Sequence, residues 1–193
     1  MLKSTLRMAR TESKMLALGT KAPSFNLLDT VSGKHRDLET LIGTEGTLIM
    51  FICNHCPFVV HVNPELKKLA KEYINKGFGF IAISSNDIVN YPQDNPELMK
   101  IKAKEEGYTF PYLFDETQEV AKAYDAACTP DFYLFDAELI LVYRGQLDDS
   151  RPENGLPLNG TDLRKAMDAV LLGNAINKNQ KPSIGCNIKW IAR

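Results

Sequence analysis

Two stretches of the chain are apolar almost without interruption, and each predicts a strand that is buried on both faces. They are residues 48–52 and residues 78–84, and such runs are typical of the central strands of a parallel sheet. An amphipathic pattern fills residues 58–76 between them and stops at Gly77, which predicts a connecting helix. Pro64 interrupts this pattern directly after an asparagine suited to cap a helix, so we expect the helix to kink or restart there.

Weaker patterns extend this core in both directions along the chain. A Ser-Gly turn and an Asp-Ala-Glu turn, each beside apolar alternation, predict an N-terminal hairpin and a second hairpin further on. The further predicted elements are strands at 25–29, 111–114, 132–135 and 139–143, and helices at 96–106, 118–124 and 163–172. Their order predicts an α/β fold with a central mixed β-sheet, parallel in the middle and antiparallel at its edge, flanked by helices on both faces.

The same patterns divide the chain into three parts. Residues 19–173 form the predicted domain. Residues 1–18 contain four basic residues and no uninterrupted apolar segment, so we expect a mobile or helical extension rather than a secretory signal. Residues 174–193 are predicted to be a tail whose first half is an exposed linker. Its second half contains Cys186 and Trp190, and we expect it to pack back on the domain.

Composition narrows the classes of function. The chain has 193 residues, of which 44% are hydrophobic and 24% charged, with a formal net charge of −1. No basic block indicates nucleic acid, and no apolar run approaches the roughly 20 residues of a membrane-spanning helix. We therefore expect a cytoplasmic protein with no nucleic-acid or membrane partner and no cofactor. The composition does not indicate an oligomeric state.

The chemistry is concentrated in the segment Cys53-Asn54-His55-Cys56, which lies between the first buried strand and the helix. Two thiols at this spacing can close a disulfide ring, and the positive end of a helix dipole stabilises a thiolate. The motif therefore predicts a redox-active dithiol. A single C-x-x-C pair supplies only two of the four ligands of a structural zinc site, so we expect no structural metal there.

Each residue of this motif has a predicted role. Cys53 is expected to open the helix, where free backbone N–H groups favour its thiolate and make it the nucleophile. His55 lies within the ring, and as a cation or through its N–H it would favour the same thiolate. Cys56, one turn inward and more buried, is predicted to be the resolving thiol.

A second candidate motif is Cys128-Thr129-Pro130, directly before the strand at 132–135. The Thr-Pro bond at a strand entrance is a candidate for a cis peptide, which would leave the backbone of Thr129 free to pair with an extended partner. Cys128 is a candidate third redox thiol, and Cys186 could pair with Cys128 if the tail folds back. The alternative for both Cys128 and Cys186 is a buried, unreactive thiol that acts as a small hydrophobic residue.

Together these motifs resemble the thioredoxin fold, and more closely the peroxiredoxin-like branch related to AhpC/TSA proteins. The resemblance is carried by residues 19–27, the Cys-Asn-His-Cys-Pro-Phe-Val segment, residues 148–152 and residues 182–190. It implies a thioredoxin-like fold with an N-terminal hairpin and an inserted helix between residues 87 and 107. It also implies that Pro130 is the cis proline beside the dithiol and that Thr129 and Pro130 belong to the active site.

The chain departs from the peroxiredoxin pattern at the reacting positions. Cys56 takes the position of the peroxidatic cysteine, and Cys53 replaces the family's threonine. The arginine of the family would fall near Thr129 and is absent there. Arg144 and Arg151 are the candidates to replace its charge, which a peroxide site needs to polarise the O–O bond.

It also departs from the thioredoxin pattern. The buried acid of thioredoxins would fall at Thr47, so a general base must come from elsewhere. His55 and Glu45 are the candidates.

The sequence therefore predicts an enzyme, a thiol-disulfide oxidoreductase that acts on a thiol or disulfide substrate. A mixed disulfide forms at Cys53 and is resolved by Cys56. Three alternatives stay open. One is an antioxidant thiol peroxidase in which Cys56 reacts with peroxide and a thiol reductant restores it. The others are a module that binds a soft metal through Cys53 and Cys56 and a redox-sensing module that changes partners when this pair is oxidised.

Overall fold

A computed structural model describes residues 10–192 as two sheets and four helices. In chain order the elements are β1 (Arg10–Glu12), β2 (Asn26–Asp29), β3 (Lys34–Asp37), β4 (Gly46–Phe51), α1 (Pro57–Tyr73), β5 (Phe78–Ser84), α2 (Pro96–Glu106), β6 (Tyr112–Phe114), α3 (Glu119–Ala123), β7 (Cys128–Thr129), β8 (Asp131–Asp136), β9 (Leu141–Gly145), α4 (Thr161–Leu171) and β10 (Ile184–Asn187). Among these helices, none is long and apolar enough to cross a membrane.

The larger sheet has seven strands in the order β3-β2-β6-β5-β4-β8-β9. Strands β4, β5 and β6 are parallel neighbours, while β8–β9 on one side and β2–β3 on the other are antiparallel. This confirms the predicted mixed sheet with its N-terminal hairpin. The antiparallel pairing differs from the prediction only in occupying both flanks instead of one edge.

Side chains alternate across β4 and build a separate core on each face of the sheet. Leu48 and Met50 belong to the core under α1, α2 and α4. Ile49 and Phe51 point the other way, toward the core that includes Tyr124 next to α3. Because both faces are covered, all six residues of β4 are buried. The predicted helices on both faces are thus confirmed, with three on one side and one on the other.

The inserted helix α2 has the bounds that its sequence predicts. Asn95 caps its first turn, where the side-chain oxygen accepts a hydrogen bond of 2.9 Å from the backbone N–H of Leu98. Gly107 ends the helix with a positive φ of 68°, a conformation that costs glycine little.

The expected restart of α1 at Pro64 is wrong, because the helix continues from Pro57 to Tyr73. Asn63 does not cap a new helix. Its side-chain oxygen instead accepts a hydrogen bond of 2.8 Å from the hydroxyl of Tyr108. Buried apolar residues on both sides of Pro64 face the same core, and this shared burial holds the two halves in one helix.

A second, three-stranded sheet joins both ends of the described chain in the order β1-β10-β7. Residues 10–12 are thus an extended strand, which corrects the expected mobile or helical extension for this part; residues 1–9 lie outside the described residues. The apolar anchor of the tail is Ile188, which is 1% exposed. Trp190, by contrast, is 41% exposed, with Lys122 above its ring.

Candidate active site

The C-x-x-C motif lies in the connection between β4 and α1, at the carboxyl edge of the parallel strands. Helix α1 begins at Pro57, and Cys56 is its N-cap residue. The expectation that Cys53 opens the helix is therefore wrong, since Cys53 lies before the N-cap residue and outside the first turn of the helix. Both thiols are buried, Cys53 with 2% and Cys56 with 0% of its surface exposed.

The Cys56 sulfur is surrounded by hydrogen-bond donors. The neighbouring thiols of Cys186 and Cys53, together with the backbone of Val59 in the first turn of α1, hold the pKa of Cys56 well below its ordinary value. The Cys56 and Cys186 sulfurs lie 2.7 Å apart. The backbone oxygen of Thr129 is 3.1 Å from the Cys56 sulfur and can accept its proton in the thiol form. The site thus favours a thiolate at Cys56.

Cys53 experiences the opposite environment. Its hydrogen bond to Cys56, its burial and the negative charge of Asp94 all raise the pKa of Cys53 well above its ordinary value. The hydroxyl of Thr129, 3.4 Å from the sulfur, opposes this only in part. The sequence-based prediction that the helix and His55 stabilise a Cys53 thiolate is therefore wrong for this arrangement of the site.

Asp94 is the functional candidate that the sequence analysis missed. It is fully buried, and its two oxygens accept hydrogen bonds of 2.8 Å from the backbone N–H of Asn54 and the side chain of Asn86. His55 Nδ1 also lies 2.8 Å from Asp94 Oδ2, within ion-pair distance but outside the angles of a hydrogen bond. The sequence contained one signal for this role, namely an acid in the polar loop after β5. The carboxyl ends of neighbouring parallel strands lie at the same edge of the sheet, so this loop could reach the dithiol that follows β4.

The other candidate base, Glu45, is wrongly placed for this role. It is exposed, and its backbone N–H donates to Gly77 at the amino end of β4, whereas the dithiol follows the carboxyl end. Thr47 lies at the position of the thioredoxin acid and is buried. Its hydroxyl accepts a hydrogen bond from the backbone N–H of Gly43. Near the dithiol, the candidate proton acceptors are therefore His55 and Asp94.

One set of side chains near the dithiol could hold a metal ion. A sulfur of Cys53, a ring nitrogen of His55 and a carboxylate oxygen of Asp94 all lie within 4.8 Å of one another. Thiolate, imidazole and carboxylate are ligands that zinc accepts. These ligands differ from the Cys53–Cys56 pair predicted for a soft metal, since the Cys56 sulfur faces Cys186.

The Thr129-Pro130 peptide is cis, as the Thr-Pro motif suggested. The backbone of Thr129 is nevertheless not free for an extended partner, because β10 pairs with β7 and places Cys186 opposite Thr129. The approach is very close at Gly185, where a Cβ atom would lie 2.0 Å from the carbonyl oxygen of Thr129. The chain's own tail thus occupies the edge beside the cis proline.

The pairing expected between Cys128 and Cys186 is wrong. In the antiparallel register Asn187, not Cys186, lies opposite Cys128, so Cys186 points to Cys56. The Cys128 thiol donates a hydrogen bond of 3.6 Å to the backbone oxygen of Pro130, and burial raises the pKa of Cys128. Cys128 therefore has the environment of an unreactive buried thiol, and Cys186 is the third thiol of the site.

Within the described residues 10–192, neither candidate arginine donates a hydrogen bond to Cys53 or Cys56. Arg144 donates to the side-chain oxygen of Gln180 at 2.8 Å. Arg151 donates to the backbone oxygen of Asp148 at 2.6 Å and lines a small cleft together with Pro130. Both guanidinium groups therefore organise the loops around β9 and do not contact Cys56.

Comparison of the chain with known proteins identifies its family and its relatives. The model of the AhpC/TSA family matches residues 18–144. The chain belongs to the AhpC/TSA family. The match spans the C-x-x-C motif and the cis proline, and it ends before Cys186. A thiol-disulfide oxidoreductase ResA from Halalkalibacterium halodurans is 27% identical over 143 residues, which cover 72% of this chain and 76% of that protein.

Solved structures agree with this family. The crystal structure of an uncharacterized conserved protein from Geobacillus kaustophilus is 58% identical, with a TM-score of 0.95, and the alignment covers 97% of this chain and all of that one. The thioredoxin domain of a thiol-disulfide oxidoreductase from Bacteroides vulgatus is 21% identical, with a TM-score of 0.59, over 78% of this chain and 99% of that one. The second likeness is one of fold, and it confirms the thioredoxin-like fold. The protein is a thioredoxin-like thiol redox protein of the AhpC/TSA family.

Proposed function

We propose that this AhpC/TSA-family protein is a thiol-disulfide oxidoreductase whose reacting pair is Cys53 and Cys56. The observation that carries the proposal is the buried Cys53–Cys56 pair at the start of α1, where both sulfurs lie against Thr129 of the cis Thr129-Pro130 peptide. The lowered pKa of Cys56 suits this sulfur to the resolving step of disulfide exchange. The name of the ResA relative, a thiol-disulfide oxidoreductase, supports the same reaction class.

The proposed reaction begins at Cys53. An external disulfide approaches Cys53, whose proton passes to the neighbouring His55–Asp94 pair, and the Cys53 sulfur attacks one sulfur of the substrate. The substrate S–S bond breaks, one substrate thiolate leaves, and a mixed disulfide forms at Cys53. The Cys56 thiolate then attacks the Cys53 sulfur and releases the second substrate thiolate. The substrate is reduced to two thiols, Cys53–Cys56 is oxidised, and a thiol reductant restores it.

A trapping experiment tests this order. We expect Cys56→Ser to accumulate mixed disulfides with substrate, because the resolving sulfur is gone, while the double variant Cys53→Ser, Cys56→Ser accumulates none. Reduction of insulin disulfides should fall by about 10²-fold or more in either single variant, and Cys128→Ser should retain wild-type turnover. The proposal would be contradicted if the wild type reduced neither insulin nor oxidised glutathione and Cys56→Ser trapped no mixed disulfide.

A thiol-dependent peroxidase is the second candidate, and the lowered pKa of Cys56 favours it. Against it, Arg144 and Arg151 donate their hydrogen bonds elsewhere, and the Cys56 sulfur is covered by Cys186. Stopped-flow oxidation by hydrogen peroxide separates the two reactions. Rapid oxidation that survives Cys53→Ser would overturn the exchange reaction in favour of the peroxidase.

The proposal also includes a cytoplasmic location for the protein.

A further inference from the structure

The third thiol, Cys186, forms no bond in the reaction proposed for Cys53 and Cys56, yet its sulfur lies 2.7 Å from that of Cys56. Bonded sulfurs are separated by about 2.05 Å, so the two atoms need only a small movement to form a disulfide. The contact joins residues 130 positions apart in the chain. It therefore results from the position of β10 in the fold and not from local sequence.

Strand β10 holds Cys186 in this position from several directions. It pairs with β7 on one side and with β1 on the other, and Ile188 is buried in the core next to α3. Before the strand, the hydroxyl of Ser183 donates to the backbone oxygen of Gly145 at 2.6 Å. A thiol fixed in this way reacts with its neighbour at a high effective concentration.

Cys56 is the sulfur that the other two share. The sulfurs of Cys53 and Cys186 both neighbour it, but one sulfur can take part in only one disulfide at a time. Resting on the proposed redox role of the Cys53–Cys56 pair, we propose that Cys186 is a further redox residue, which exchanges with that disulfide to form a Cys56–Cys186 disulfide.

The exchange needs no external oxidant or reductant. The Cys186 sulfur loses its proton and attacks the Cys56 sulfur, so that the Cys56–Cys186 bond forms while the Cys53–Cys56 bond breaks. The electron pair of the broken bond leaves on Cys53, which takes up a proton. The pKa of Cys186 is raised chiefly by its hydrogen bond to the Cys56 thiolate. That thiolate is absent once Cys56 is oxidised.

The two disulfides have different consequences for the site. With Cys53–Cys56 closed, β10 is held in place by noncovalent contacts alone. With Cys56–Cys186 closed, β10 is covalently fixed to the start of α1, Cys53 is a free thiol again, and the edge beside the cis proline stays covered. Oxidation can therefore lock the tail over the site where an extended substrate would pair.

The test is to map disulfides in the full-length protein after stoichiometric oxidation with diamide, alkylation at low pH and digestion with pepsin. We expect peptides that link Cys56 to Cys186 in the wild type, and Cys53→Ser should place essentially all oxidised Cys56 in this bond. In Cys53→Ser the Cys56–Cys186 peptide should exceed any Cys56–Cys128 peptide by about tenfold or more. The matched control Cys128→Ser should give the wild-type pattern.

The proposal is overturned if oxidised Cys53→Ser contains no Cys56–Cys186 bond, or if Cys56 pairs with Cys128 instead. Insulin turnover, measured in parallel, separates this failure from failure of the proposed function. Turnover in the wild type without any Cys56–Cys186 bond overturns only the role of Cys186. Formation of that bond in a protein without turnover supports the role of Cys186 and contradicts only the oxidoreductase activity.

Discussion

Cys53 and Cys56 are three residues apart, yet their sulfurs experience opposite electrostatic environments. The start of α1 and the two neighbouring thiols favour a negative charge on Cys56, while burial and the nearby carboxylate of Asp94 oppose one on Cys53. A difference of this kind lets one sulfur of a dithiol stay ionised while the other keeps its proton. The ionised sulfur here is the second of the pair.

The contribution of Asp94 can be tested by Asp94→Asn. Removing a negative charge within 4.8 Å of the sulfur should lower the pKa of Cys53 and raise its thiolate fraction at pH 8 by about tenfold. The ¹³Cβ chemical shift of Cys53 followed against pH reports this ionisation directly. Asp87→Asn, in the same loop, is the control and should leave the titration unchanged. An Asp94→Asn titration identical to that of the wild type would contradict this account.

At the scale of residues, the sequence predicts the site as far as local spacing allows. The C-x-x-C motif and the Thr129-Pro130 bond are recognisable because their roles depend on neighbours in the chain. Asp94 and Cys186 are not, because they reach the dithiol through loop closure and strand pairing over 40 and 130 positions. The lower pKa at Cys56 was missed for a smaller reason: the helix begins at Pro57, after the motif has ended.

Among the elements, β10 has the largest effect on the site. It occupies the backbone of β7 beside the cis proline and places Cys186 against Cys56. Its fit depends on Gly185, since any side chain there would overlap the carbonyl oxygen of Thr129. The tail therefore acts as a cover whose position is set by a backbone contact.

Gly185→Ala should displace this cover. The added Cβ would lie 2.0 Å from the oxygen of Thr129, so β10 must move away from β7. We expect faster amide hydrogen exchange in β10 and β7 and, after oxidation, a Cys56–Cys186 bond reduced by about tenfold relative to Cys53–Cys56. Exchange rates in α2, which is not part of the β1-β10-β7 sheet, serve as the internal reference. Unchanged protection of β10 would contradict the proposed steric role of Gly185.

Elements with strong local signals are predicted well, and those without them are not. Helix α2 follows from its asparagine cap and terminal glycine, and β4 and β5 follow from their apolar runs. Strands β1 and β10 have no such pattern, because each is short and only partly buried. They form because each finds a partner far away in the chain, which periodicity does not encode.

In the whole molecule, one buried acid couples stability to pH. Asp131, on strand β8 next to the edge strand β9, is completely buried. It accepts a hydrogen bond of 2.9 Å from the hydroxyl of Tyr133. Burial nevertheless raises the pKa of Asp131 to about 7 from its ordinary value of 3.8. Between about pH 4 and pH 7 the folded protein therefore holds a proton that the unfolded chain has lost, and the free energy of unfolding falls as pH rises through this window.

Asp131→Asn should remove this dependence. At pH 8 the variant should be more stable than the wild type, by at most about 4 kcal/mol, because it buries a neutral amide in place of a carboxylate. Below pH 4 the wild-type acid is neutral as well, and the two proteins should be similarly stable. Urea unfolding at pH 4 and pH 8 gives both values. Equal stability at pH 8, or a gain of the same size at both pH values, would contradict the proposed linkage.

The position of β10 has a consequence for the order in which the protein is completed during translation. The main sheet and the dithiol are encoded before residue 172, whereas β10 follows at residues 184–187. Because synthesis and folding proceed from the N-terminal side, we expect the nascent chain to present an uncovered Cys53–Cys56 pair until the tail emerges. The dithiol is therefore exposed to cellular thiols and oxidants during synthesis, and the arrival of β10 ends that exposure.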